Sequence, residues 1–144
     1  VYLGLGETAL TKMFYEFYSI STREEFLGMV SKFEEDDADT FIMKLIDFFF
    51  DAAKEGDEKV LAIIEEMADR GSSLIAAHAK QLNFTDDEIE VVLSGSIHTK
   101  LPSEIYINRL MELCVEKSGR KMKFNKLSEP PVVGCVNWIF QQYV

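Results

Sequence analysis

The residues best suited to chemistry lie in one short stretch, Leu93-Ser94-Gly95-Ser96, which follows a run of β-formers and precedes a helix with Pro102 near its first turn. A strand that ends in small residues and turns into a helix can aim backbone amides and the positive helix end at one point. A phosphate group is the ligand that such a point attracts. By spacing alone the motif is not specific, because a glycine after a strand is more often only a tight turn. Thr99, Lys100 and Ser103 add polar side chains to the same loop.

Other candidates are weaker on context. Asp69-Arg70-Gly71-Ser72-Ser73 has the form of an acid-x-Gly-x-hydroxyl phosphate loop but falls inside a long helical period with no strand before it. Leu3-Gly4-Leu5-Gly6-Glu7-Thr8 is Gly-rich but lacks the Asp or Lys that would hold metal or phosphate. The two cysteines and two histidines are scattered at spacings unrelated to a zinc site. A Cys114 nucleophile paired with His98 meets the objection that a thiol on a packed helix face is normally inert. The acidic run Glu34 to Asp39 reads as a solvated turn that opens a helix, since carboxylates favour a helix start. No catalytic residue and no metal ligand is assigned.

The elements that must position the turn divide into two halves, with residues 1–83 helical and residues 84–144 a β-α-β-α unit. In the first half, residues from about Thr8 to Tyr18 are apolar-rich. Ser21 and Glu24 fit an S-x-x-E capping box opening a short helix to about Phe33. A helix from about Ala38 to Lys54 carries Phe41, Ile42, Leu45, Ile46, Phe48, Phe49 and Ala52, apolar nearly all round, and belongs deep in the domain. Gly56 ends it and Asp57 caps the next helix. That helix bears the stripe Val60, Ile64, Met67, Gly71, Leu74, His78, Leu82 in steps of three and four. Gly71 on the stripe predicts a close backbone approach, and His78 reads as a satisfied core histidine.

In the second half, Ile89 to Ser94 is a buried strand, Ser103 to Lys117 a helix closed by Gly119, and Lys121-Met122-Lys123-Phe124 alternates with period two. Pro130-Pro131 opens a last, almost uninterruptedly apolar helix from Val132 to Tyr143 that should be buried. The expected fold class is a helix-rich α/β chain with parallel strands and a right-handed crossover. A parallel sheet is normally several strands wide and covered on both faces, so two strands imply that others come from another chain or from sequence before Val1.

Composition limits the partners. Fifteen Lys and Arg against 25 Asp and Glu give a formal charge of −10, the wrong sign for a dedicated nucleic-acid binder. With no apolar run of membrane-spanning length and no signal-peptide order at the amino terminus, the chain is expected to be soluble and cytoplasmic, its two cysteines reduced.

Three segments together resemble the actin-like sugar kinases. The nearest branch is the N-acetylglucosamine kinase group and its relatives, the BadF/BadG/BcrA/BcrD-type ATPases. Val91-Val92-Leu93-Ser94-Gly95-Ser96-Ile97 resembles that family's adenosine motif, Pro131-Val132-Val133-Gly134-Cys135-Val136 its closing helix, and Gly6-Glu7-Thr8-Ala9-Leu10-Thr11 the start of its inserted helical region. Ser94 stands where the family usually has the first of two glycines. The resemblance covers essentially the whole chain and implies the carboxy-terminal part of a ribonuclease H-like, actin-type ATP-binding lobe, with the phosphate-gripping hairpins and the aspartate base in preceding sequence. It implies Mg-ATP as cofactor, a sugar as the other substrate, Ser94, Gly95, Ser96 and Gly134 as nucleotide contacts, phosphoryl transfer by the longer protein only, and room for a homodimer. Two alternatives stand beside it: an activator ATPase of the benzoyl-CoA reductase type, and a helical protein-interaction domain that binds no nucleotide.

Overall fold

A computed structural model describes residues 7–34, 38–127 and 129–143. The chain is a helix-rich α/β protein with a two-stranded parallel sheet. It forms two compact units, residues 1–66 and 67–144, and the division falls inside one long helix. The change from helices to the β-α-β-α order comes later, between Gln81 and Glu88.

In the first unit, α1 (Ala9–Tyr18) and α3 (Ala38–Lys54) pack around Phe14, Phe41 and Phe48, joined by α2 (Arg23–Gly28) and a 3₁₀ segment, Met29–Glu34. The core is aromatic: the Phe14 ring meets Phe26 at 5.2 Å and Phe41 at 6.2 Å, both edge-on, the arrangement ring quadrupoles favour. The capping box exists one residue later than the sequence spacing suggests. Thr22 accepts from the Glu25 amide at 3.2 Å, and the Glu25 carboxylate returns to the Thr22 amide. The Glu34 to Asp39 turn and the Gly4/Gly6 stretch fall partly outside the described residues.

Helix α3 has the predicted bounds, but Ile42 and Met43 are exposed, so it buries one side rather than its whole circumference. Gly56, at φ +86°, ends it, and Asp57 caps α4 (Glu58–Gln81). The buried face of α4 departs from the predicted stripe. Within the first unit it is Val60 and Ile64; within the second it passes to Ala68, Ser72, Ala76 and Ala79. Leu74, His78 and Leu82 are exposed, so His78 is a surface residue whose Nδ1 meets the Leu74 carbonyl at 2.8 Å. The close approach at Gly71 is there, but it comes from side chains. A methyl group at Gly71 would sit 2.9 Å from Leu110 Cδ1 and 3.5 Å from the Tyr106 hydroxyl.

In the second unit β1 (Glu88–Leu93) pairs in parallel with β2 (Lys121–Lys126), with Ile89 beside Met122 and Val91 beside Phe124. Between them come α5 (Ser96–Thr99) and α6 (Ile105–Ser118), the latter closed by Gly119 in the left-handed conformation (φ 67°). α6 buries Tyr106, Ile107, Leu110, Leu113 and Cys114. The expectation of a strand buried on both faces needs correction. Ile89 and Leu93 are buried, whereas Glu88, Glu90 and Val92 face outward, and Glu88 and Glu90 lie beside Lys121 and Lys123. Neighbouring opposite charges suit a solvated face, so the sheet is covered on one side only. The last helix, α7 (Pro131–Tyr143), is not buried either; Val132, Trp138 and Phe140 stand about 60% exposed.

Candidate functional site at the carboxyl end of β1

Local chemistry explains why the chain turns where it does. After Leu93 the backbone leaves the ladder at Ser94, and Gly95 takes φ 86°, ψ 159°. That region is open essentially to glycine alone, because a Cβ there collides with the neighbouring backbone. Gly95 is the N-cap of α5, its carbonyl accepting from the His98 and Thr99 amides at 3.0 and 3.1 Å. The Ser96 and Ile97 amides precede those bonds and lie at the amino end of the turn, where a helix leaves donors unused. Ser94, Gly95 and Ser96 are all exposed, and nothing lies within 4 Å of the position a Gly95 Cβ would take. Opposite, at the end of β2, the Leu127 amide extends the ladder to the Leu93 carbonyl, and Lys126 pairs with Glu104.

The helix after the turn is a single four-residue coil, and α6 begins separately at Ile105. Two of the added polar residues are engaged locally. Thr99 Oγ1 donates to the Gly95 carbonyl at 3.0 Å, and Ser103 Oγ accepts from the Ile105 amide at 3.3 Å, starting α6. Lys100 is exposed. His98, considered in the sequence only as a partner for Cys114, closes the turn with Nδ1 2.9 Å from the Ser94 carbonyl and its ring 6.2 Å from that of Tyr106. Burial raises the Tyr106 phenol above its usual range, so it stays a neutral hydrogen-bonding group beside the turn.

Ser94, Gly95 and Ser96 follow one another in the turn itself. Gly134 lies on exposed α7, with no atom within 4 Å of where its Cβ would be. Cys114 is fully buried and burial pushes its thiol up to about 11, the state of a packing residue rather than a nucleophile. Asp69 to Ser73 lies within α4, where both serine hydroxyls donate to the Asp69 carbonyl at 2.9 and 2.8 Å. Lys117 completes that cluster from α6, reaching Asp69 Oδ1 at 2.6 Å and Ser73 Oγ at 2.8 Å. It is a brace between helices. Its partners are 48 and 44 residues away, a pairing that no local pattern could signal.

Among the described residues no three His, Cys, Asp or Glu side chains converge as a metal site. No described helix is long and apolar enough to cross a membrane. No protein-family model matches the chain, and no curated protein or solved structure is significantly similar to it.

Proposed function

We propose that this chain forms the carboxy-terminal, adenosine-side part of an ATP-binding lobe of the actin-like sugar-kinase type, with the turn Ser94-Gly95-Ser96 against the nucleotide. The observation that carries this reading is the backbone of Gly95. It adopts a glycine-only conformation at the carboxyl end of a strand in a parallel pair, exposed and with open space around it. In open α/β sheets ligands gather outside the carboxyl ends of parallel strands, and conformations so restrictive persist where a close approach is needed.

The outer edges of β1 and β2 also support it. Among the described residues neither has a further strand, so both edges are open to pairing with strands of other sequence, as a wider parallel sheet would require. In this reading the chain provides nucleotide contacts, and transfer of the γ-phosphoryl group of Mg-ATP to a sugar hydroxyl needs an aspartate base and phosphate-gripping hairpins from other sequence.

The test is Mg-ATP binding by the protein in its longest native form. A nucleotide at about 100 times its Kd stabilises a fold by about 2.7 kcal/mol, an easily read rise in thermal midpoint. Gly95→Val should abolish the rise, because a branched side chain blocks backbone approach. No rise with millimolar Mg-ATP, or a rise retained in Gly95→Val, overturns the assignment.

A second reading has its own observation. The apolar side chains of α7, Trp138 and Phe140 among them, are exposed, the composition of a surface that associates with protein. A helical interaction module without nucleotide would show no Mg-ATP effect and would lose a partner when Trp138 and Phe140 are replaced by serine.

A further inference from the structure

The two strands of the sheet carry opposite charge. On the exposed face β1 presents Glu88 and Glu90, preceded by exposed Asp86 and Asp87, and β2 presents Lys121 and Lys123 in register with the two glutamates. The second unit holds as many basic as acidic residues, so the formal charge of −10 lies wholly in the first and leaves this contrast intact. Between Lys117 and Leu127 every charged residue is basic.

Lys121 and Lys123 are the two of these cations that the chain does not use. Neither has an ion-pair partner among the described residues, and Glu90, in register with Lys123, takes the Asn125 side-chain amide instead. Lys117, Arg120 and Lys126 are engaged by Asp69, the Asp86 carbonyl and Glu104. Among the described residues β2 pairs only with β1, so the backbone groups along its other edge are left for a further strand. On the covered face β2 offers Met122 and Phe124, both half-buried.

We propose that the free edge of β2 takes an extended protein segment in which acidic residues alternate with apolar ones. Side chains alternate along a strand, so its carboxylates meet Lys121 and Lys123 on the exposed face while its apolar residues continue the row of Met122 and Phe124 on the other. Backbone hydrogen bonds of the added strand supply affinity, and the alternate side chains supply selectivity. The chain itself shows that this pattern suits β2, because Glu88-Ile89-Glu90-Val91 lies along its opposite edge. Pairing two β2 edges would set lysines against lysines, and like charges directly opposite are destabilising. A basic segment is refused for the same reason. The inference uses no residue of the Ser94-Gly95-Ser96 turn and stands independently of the nucleotide reading.

The probe is the peptide of residues 86–94, added to the complete 144-residue chain and followed by backbone-amide NMR. Its control is the same peptide with Asp86, Asp87, Glu88 and Glu90 all replaced by lysine. The expected result is saturable shifts at the amides of Lys121 to Lys126, with the acidic peptide binding about tenfold tighter than the basic one at low salt. The preference should fall to about threefold or less in about 1 M salt, which screens charges beyond about 3 Å. It should fall as far in a chain carrying Lys121→Gln and Lys123→Gln together. No saturable shift, shifts centred away from β2, or an undiminished preference in high salt or in the glutamine variant overturns the proposal. Concentration-dependent shifts at β2 in the chain alone, with no peptide effect, would give the edge to a second copy and overturn it as well. Should the glutamine variant fail to fold, the salt series on the native chain decides.

Discussion

Asp57 joins the starts of two helices, and replacing it should loosen both. Its Oδ1 accepts from the Lys59 and Val60 amides at 3.0 and 3.1 Å, capping α4, while its Oδ2 accepts from the Ala9 amide at 2.5 Å. The Ala9 bond is the largest cause holding its carboxyl below the usual value of 3.8, with the two α4 amides adding to it and partial desolvation opposing. Removing an N-cap acceptor costs about 1 kcal/mol, and losing the bond to α1 about another 1 kcal/mol. Asp57→Ala should therefore cost about 2 kcal/mol, a fall of about 6 °C in thermal midpoint for a chain of this size. Asp57→Asn keeps one capping oxygen but replaces the other with a donor, so it should cost about half as much. The sign of the pH dependence follows from the lowered native pKa. The carboxylate contributes fully above the unfolded value of about 3.9 and loses its contribution as pH falls through the lower native value. Urea unfolding followed by far-UV circular dichroism should show the full gap between native chain and Asp57→Ala at neutral pH, shrinking in acid below about pH 4. A gap that stays constant into strong acid, or an Asp57→Asn variant as unstable as Asp57→Ala, would refute this account.

Gly95→Ala should destabilise the chain by about 2 kcal/mol although nothing crowds the site, because the strain is in the backbone; thermal unfolding measures it. Native protein treated with a disulfide reagent at mildly alkaline pH should release one thiol equivalent, from exposed Cys135, and a second only after unfolding, since Cys114 is buried and its thiol raised to about 11. Lys117→Met should cost about 1.5 kcal/mol by removing the ammonium that holds Asp69 and Ser73, and a double-mutant cycle with Asp69→Ala should be non-additive.

Much of the local structure was legible in the sequence because local chemistry dictates it. Gly119 closes α6 in a left-handed conformation, Asp57 caps α4, and α3 runs between the residues its pattern marks. The strands and their parallel pairing also follow from the order of elements. What sequence could not fix is which side of an element is covered. The stripe through Leu74, His78 and Leu82 follows the large side chains, but the second unit buries the small ones, Ala68, Ser72, Ala76 and Ala79. Alanine and serine let neighbours approach closely, and close packing outweighs side-chain size when a helix face is selected. β1 has the β-formers of a buried strand, yet its charged neighbours on β2 keep one face in water. The candidate site divides in the same way. Ser94, Gly95 and Ser96 come together because they are consecutive and glycine permits the turn, while the brace at Lys117 arises from contacts between distant elements. The sequence by itself determined where the chain bends and caps. Only the tertiary structure decided which surfaces meet, because burial depends on neighbours that no local pattern contains.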